Sequence, residues 1–364
     1  MPIYQSQTQR RPYFTLQWHI TGKCDQNCMH CYRFTDTYKR ELENELSYED
    51  CLKVVDDFSD TVKKWGIPGR INFSGGDPLL RDDFFDLIKY AREKDIAAGI
   101  IGNPNHLDFK TAKKLKELGI MRYQVSIDGM GKMHDKLRRR NGAFKDALRA
   151  IDILEKVGIP SVVMFTLSKT NANDLVDVIN LVADKCSIFD FARLVPVGHG
   201  EDLKDQMFSP LEYRELLLWV LEEYKKLADS GCRTHYGRKD HLWLLLYQEL
   251  GLLKPLPEDK ELIYGGCSIG MSGLSILADG TVYACRRLPL EIGRVPEQKI
   301  RDIFIESETL NDMREYDKIE NCGTCELKQF CRGCRAVPYA INGDYAGKDP
   351  QCWRNEMKKN EKEN

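Results

Sequence analysis

From residue 13 to residue 194 the chain alternates between two hydrophobic periods. Residues 13–20 place aromatic and aliphatic side chains at every second position, the two-residue period of a strand with one face turned inward. Ser47 then opens a run with apolar residues three and four apart, the period of an amphipathic helix, which lasts to about residue 65. The same exchange repeats, with strands over 70–73, 97–101, 122–127, 161–167 and 188–194 and helices over 82–94, 108–118, 142–157 and 173–186. Six strands separated by five helices predict right-handed crossovers, a parallel sheet, and chemistry at the carboxyl ends of the strands. The spacing fits a partial barrel and a doubly wound sheet equally well. Helices over about 210–229 and 239–252 follow, the second carrying an apolar packing stripe. The chain turns loop-like over 256–266 and polar after residue 352.

The bulk numbers narrow the partners. At 364 residues with 42% hydrophobic content the chain can build a sizeable core, and its formal charge of −2 gives no field to draw nucleic acid or an anionic membrane. No apolar run approaches the ~20 residues a membrane span needs, and the first residues lack the apolar core of a signal peptide, so a cytoplasmic enzyme is expected.

Thirteen cysteines are an odd and large number for a reduced compartment, which argues for metal ligation. Ten fall into two groups: Cys24, Cys28 and Cys31 after the first strand, and Cys267, Cys285, Cys322, Cys325, Cys331, Cys334 and Cys352 near the end. Cys51 and Cys186 read as helix-face packing residues, and Cys232 is uncommitted. The N-terminal trio is spaced x3 then x2, short enough for three thiolates to close on one soft metal centre. A four-iron cluster with three cysteine ligands leaves one iron open. His30, between two of these thiols, reads as an exposed loop residue. Paired Cys-x2-Cys elements in the C-terminal group suit two metal centres, with a zinc ribbon as the rival.

The trio resembles the signature of the radical S-adenosylmethionine (SAM) enzymes. Further motifs carry the likeness: Gly75-Gly76-Asp77-Pro78 after the second strand resembles the family's Gly-Gly-Glu-Pro turn, with aspartate in place of glutamate. Ser126-Ile127-Asp128-Gly129 ends the fourth strand, and His134-Asp135-x-x-Arg138 with Gly142-x-Phe144 follows. The C-terminal cysteines, with Gly280-x4-Cys285, resemble the SPASM auxiliary-cluster domain, although the last close pair, Cys331 and Cys334, is spaced x2 where the family has x3.

The resemblance implies an α/β fold: a partial (βα)6 TIM-like barrel over 14–230 and a C-terminal cysteine-rich auxiliary-cluster domain over 267–352. A flexible lead (1–13), a helical bridge (231–266) and a polar tail (353–364) complete the chain. It implies three 4Fe-4S clusters. One is SAM-binding, held by Cys24, Cys28 and Cys31; a proximal auxiliary cluster is held by Cys267, Cys285 and Cys334, and a distal one by Cys322, Cys325, Cys331 and Cys352. With one thiolate missing, the proximal centre either has an open iron or takes a non-cysteine ligand. SAM itself would be lined by Tyr32, Gly75, Gly76, Asp77, Asn103, Ser126, Asp128, Arg138, Thr166 and Leu194, with Asp77 on the methionyl amino group and Arg138 on the carboxylate.

The expected activity is peptide maturation. An electron from flavodoxin or ferredoxin, SAM cleavage to a 5'-deoxyadenosyl radical, and hydrogen abstraction from a ribosomally made peptide would precede a thioether or carbon–carbon crosslink. Leader recognition is either direct or through a separate peptide-binding protein. Alternatives are a sulfatase-type formylglycine maturase, a maturase of a small-molecule cofactor, and a non-catalytic metal-stabilised binding module. The catalytic acid or base is unassigned. Anaerobically purified protein is expected to hold roughly twelve irons per chain, falling to about eight in a Cys24, Cys28 and Cys31 triple alanine variant by iron and sulfide analysis; about four irons with zinc would make the C-terminal centres structural.

Overall fold

The computed structural model describes residues 13–253, 263–354 and 356. The expected lead (1–12 of it), much of the loop over 256–266 and nearly all of the polar tail lie outside the described residues.

The six strands form where the periodicity places them: β1 (Phe14–Thr21), β2 (Gly69–Gly75), β3 (Ala97–Ile101), β4 (Arg122–Ser126), β5 (Ser161–Leu167) and β6 (Ile188–Arg193). Each pairs with the next in parallel, so the chain makes a partial (βα)6 barrel. A two-residue strand, β7 (His235–Tyr236), extends it beyond β6. At the other edge three strands of the C-terminal region join the same sheet: β8 (Gly273–Ile276) runs parallel to β1, and β9 (Thr281–Cys285) and β10 (Leu288–Arg294) add antiparallel. The ten-stranded order is β10-β9-β8-β1-β2-β3-β4-β5-β6-β7. Sequence periodicity missed this continuation because the C-terminal strands are short and lie among the cysteines.

Helices start and stop at chemically marked positions. The side chain of Ser47 accepts from Asp50 N at 3.1 Å and starts the helix Tyr48–Trp65, which Gly66 ends in a left-handed conformation. Ser209 and Glu212 form a reciprocal cap at the start of Pro210–Asp229. Two expected helices are shorter. The span 173–186 is helical over Leu175–Val182, after a 3-10 turn at Lys169–Asp174, which leaves Cys186 beyond the helix but still in the core. The span 239–252 is helical over Trp243–Glu249. No helix among the described residues is long and apolar enough to cross a membrane.

The two faces of the sheet differ. Leu16, Trp18, Ile71, Phe73, Tyr123, Val125, Val163, Phe165, Phe189 and Phe191 are fully buried on the face beneath the helices. The alternate positions on the other face include Gln17, Asn72, Ser74, Gln124, Ser126, Thr166 and Asp190, most of them only half-buried. A parallel sheet covered on both sides has no such alternation, so the inner face lines a polar interior that solvent reaches.

Arg193, the last residue of β6, ties this barrel to the cysteine-rich region. Its Nε donates to Asp240 at 2.6 Å, and its two terminal nitrogens donate to the carboxylate of Asp349 at 2.9 Å each, with Gln351 Oε1 a third acceptor. Arg193, Asp240 and Asp349 are all buried. Burial raises the pKa of Asp349, but Arg193 outweighs it and brings the carboxyl to about 2. Arg193→Met removes the guanidinium that two buried carboxylates share, so the variant is expected to lose about 3–5 kcal/mol of stability. Chemical denaturation of the cluster-loaded protein checks this, and an unchanged midpoint would show the link to be dispensable.

Candidate active site

The three N-terminal cysteines lie on the loop that leaves β1, and that loop is held from three directions. From β2, Gly76 N donates to Thr21 O and Asp77 N to Lys23 O, each at 2.9 Å. The contact is so close that a Cβ at Gly76 would lie 1.8 Å from Lys23 O and 2.8 Å from Cys24 Cβ, so the glycine is a packing requirement of the cysteine loop. From the helix Gly131–Arg138, Leu137 O accepts from Met29 N at 2.8 Å. From the segment after β6, His199 N donates to Cys31 O at 3.0 Å. Burial raises the pKa of the Cys24 thiol to about 11 and that of Cys31 to about 12, and both feel the charge of Cys28. Thiols in that state become ligands when a cationic centre displaces their protons, which suits an iron–sulfur cluster.

Two buried carboxylates beside the loop have opposite environments. Asp77 Oδ1 accepts from Leu79 N at 3.4 Å, while Oδ2 has no partner. Burial therefore raises its pKa to about 7. An orphaned carboxylate oxygen at this position fits the ammonium group of SAM. Asp128 is surrounded by donors. Its Oδ2 accepts from Arg138 Nη2 and from His30 Nε2 (3.1 Å), its Oδ1 from Thr166 N (2.7 Å), and its carbonyl from Asn171 Nδ2 (2.8 Å). Burial raises its pKa, but Arg138 and then His30 outweigh that and hold the carboxyl well below the usual range.

The remaining motif residues complete this framework. His134 Nδ1 accepts from Asp128 N at 3.0 Å, and burial lowers its pKa to about 4, which keeps the ring neutral. Asp135 accepts from Gly142 N and Phe144 N (2.7 and 2.8 Å), which explains the Gly-x-Phe that follows it. Arg138 Nη1 donates to Cys28 Sγ at 3.6 Å. The guanidinium expected on the SAM carboxylate thus already engages Asp128 and a thiol of the cysteine loop, while its Nε has no partner. Asn103 Nδ2 donates to Asp25 of the cysteine loop at 2.8 Å, an anchor that Asn105 and His106 share. Ser126 and Thr166 are half-buried at the strand ends, and Leu194 is buried with its amide on Leu167 O. The Tyr32 hydroxyl lies 3.1 Å from His19 Nε2, and the guanidinium of Arg286 lies over its ring. His30 is the residue that sequence reasoning missed: it is not an exposed loop residue but sits against buried Asp128, and its position between two thiols gave no sign of that direction.

The C-terminal cysteines separate into two groups. Cys322, Cys325, Cys331 and Cys352 line one small cavity with Leu242, Leu245 and Asp349. Cys267, Cys285 and Cys334 form the other group: burial and then the charge of Cys334 raise Cys267 to about 11, and Cys285 acts on both. Gly333, in a left-handed conformation, turns the chain between Cys331 and Cys334, so the two-residue spacing sends its two thiols to different groups. Of the three remaining cysteines, Cys51 and Cys186 are core residues, and Cys232 Sγ lies 3.5 Å from Tyr236 OH.

Comparison with known proteins agrees with this arrangement. Residues 18–182 match the radical SAM superfamily and residues 267–326 the SPASM iron–sulfur cluster-binding domain. The chain is 30% identical to an AdoMet-dependent heme synthase of Methanosarcina barkeri over 93% of its own length and 95% of that protein. It is 31% identical to an Fe-coproporphyrin III synthase of the same organism over 92% of its length and 86% of that protein. Among solved structures, SuiB of Streptococcus suis bound to its precursor peptide SuiA superposes with a TM-score of 0.74 at 17% identity, covering 94% of this chain and 76% of SuiB. The last likeness is one of fold. The two relatives overturn the expectation of peptide crosslinking, because more than nine-tenths of the chain, not only its cysteine domains, aligns with enzymes named for heme and Fe-coproporphyrin III synthesis. The cysteine pattern behind that expectation reports where electrons are carried, and it is silent about what enters the barrel. Taken together, the pinned three-thiol loop, the partial barrel and the two groups of C-terminal cysteines are those of the family the comparisons identify: the chain belongs to the radical SAM superfamily and carries a SPASM domain.

Proposed function

We propose that this protein is a radical SAM maturase of a small-molecule cofactor, acting on an iron porphyrin. The observation that carries the reading is the likeness, over more than nine-tenths of the chain, to an AdoMet-dependent heme synthase and an Fe-coproporphyrin III synthase. The polar, solvent-reachable interior of the barrel supports it, since such a substrate brings both charge and a large apolar ring.

In this reading Cys24, Cys28 and Cys31 hold the SAM-binding cluster, and the two C-terminal groups hold the auxiliary ones. When bound, the first cluster supplies the electron that cleaves SAM to a 5'-deoxyadenosyl radical, drawn from an external donor of the flavodoxin or ferredoxin kind. The chain's own residues bind and orient. Asp77 Oδ2 accepts from the methionyl ammonium, and the Asp128, Arg138 and His30 cluster fixes the loop against the end of β4. Ser126 and Thr166 face the same mouth. With SAM bound, this chemistry would remove one hydrogen atom from the substrate as a C–H bond of 5'-deoxyadenosine forms, and the electron left on the substrate would pass to the auxiliary groups held by the C-terminal cysteines.

Reduced, anaerobic protein given SAM and Fe-coproporphyrin III is expected to form 5'-deoxyadenosine together with a porphyrin of altered mass. Deoxyadenosine with unaltered porphyrin would reject the substrate. Asp77→Asn keeps the shape but not the charge, and is expected to weaken SAM binding by roughly tenfold to a hundredfold at undiminished iron content. Equilibrium dialysis with labelled SAM measures it, and unchanged affinity would remove Asp77 from the SAM site.

A further inference from the structure

The interior of the barrel carries more positive charge than its own carboxylates balance. Arg122 starts β4 on the inward-facing register of Gln124 and Ser126. Lys239, three residues past β7, reaches in from the far edge, its Nζ 3.9 Å from Met164 Sδ on β5. Arg286 and Arg287 form the turn between β9 and β10, directly after Cys285, and Arg286 lies 5.5 Å over the ring of Tyr32, the residue after Cys31. Burial lowers the pKa of Lys239, and Arg286, Arg287 and Arg122 lower it further, so three guanidiniums are within electrostatic reach of its ammonium.

Several interior cations of this protein have a matched anion, and the buried Arg332 and Arg335 are satisfied by backbone carbonyls. Arg193 has Asp240 and Asp349, Arg138 has Asp128, and Arg33 has Glu41. Among the described residues, Arg122, Arg286 and Arg287 have no ion pair. Asp190, the carboxylate near Lys239, takes two backbone amides on its Oδ1, those of Phe191 (2.9 Å) and Lys239 (3.1 Å), and forms no ion pair among the described residues. Negative groups lie beside two of them, Asp190 by Lys239 and Asp240 with the Cys334 and Cys285 thiols by Arg287, yet none forms an ion pair with either, and a ligand that brings further anions makes the gathering of like charges more favourable. Planar guanidiniums and an ammonium suit carboxylates through charge-assisted hydrogen bonds.

We propose that Arg122, Lys239, Arg286 and Arg287 are the carboxylate-binding site of a polycarboxylate substrate, holding its acid side chains between the SAM-side loop and the Cys285 group. This deepens the iron-porphyrin reading and rests on it for the choice of scaffold. SAM also carries a carboxylate, so the test must separate the two sources.

Equilibrium dialysis of the cluster-loaded protein would compare Fe-coproporphyrin III with the same porphyrin bearing amidated propionates, for wild type, Lys239→Met and Arg286→Gln/Arg287→Gln. Wild type is expected to prefer the acid by about tenfold or more. The variants are expected to lose most of that preference, with wild-type iron content and SAM affinity. Variants that keep the wild-type preference overturn the proposal, as does a parallel loss of SAM affinity, which would assign the cations to the SAM carboxylate. If wild type binds neither porphyrin, the scaffold fails, and mellitate, a benzene polycarboxylate, decides the site. Slower phenylglyoxal labelling of Arg286 and Arg287 in its presence, read by mass spectrometry, upholds it, and unslowed labelling overturns it.

Discussion

The structure depends on one buried negative charge at the end of β4. Asp128 receives Arg138 from the following helix, His30 from the cysteine loop, and a backbone amide from β5, so three segments far apart in sequence are fixed against a single carboxylate. Removing either cation would leave a charge in the protein interior with too little compensation, so the geometry of the cysteine loop is enforced by electrostatics as much as by packing. The thiols of Cys24, Cys28 and Cys31 can hold a fixed geometry because the backbone between them has few other positions open to it.

The two carboxylates beside that loop show how environment divides similar groups between different tasks. Asp128 has every oxygen engaged and serves as structure. Asp77, equally buried, has one oxygen without a partner and so retains an unmet demand for a proton or a cation. The same distinction holds among the arginines. Arg193 spends its fork on holding the C-terminal region to β6, whereas the arginines of the β9–β10 turn form no ion pair among the described residues.

Much of this was legible in the sequence. The six strands, the cysteine trio and the Gly-Gly-Asp turn are local signals, each set by a period or by a run of a few residues. The roles of His30, Arg193 and Lys239 were not legible, because each is defined by a partner tens to more than a hundred residues away. Arg138 is read from its motif and its planar fork as a ligand for SAM, and no local signal showed that Asp128 and Cys28 would engage it as well. The substrate was misread for a different reason: cysteine spacing encodes cluster housing, while the shape and charge of the barrel interior come from inward-facing residues scattered over many strands.

The pairing of β8 with β1 also bears on how the chain comes to be assembled. β1 remains a bare sheet edge on one side until residues 273–276, more than two hundred positions later, arrive to cover it. Throughout that interval the cysteine loop hangs from a half-finished scaffold, and a nascent chain stalled before β8 would present an open strand beside three unliganded thiols. The late strand therefore acts as a closing seam, joining the completion of the barrel to the synthesis of the region that carries the auxiliary cysteines.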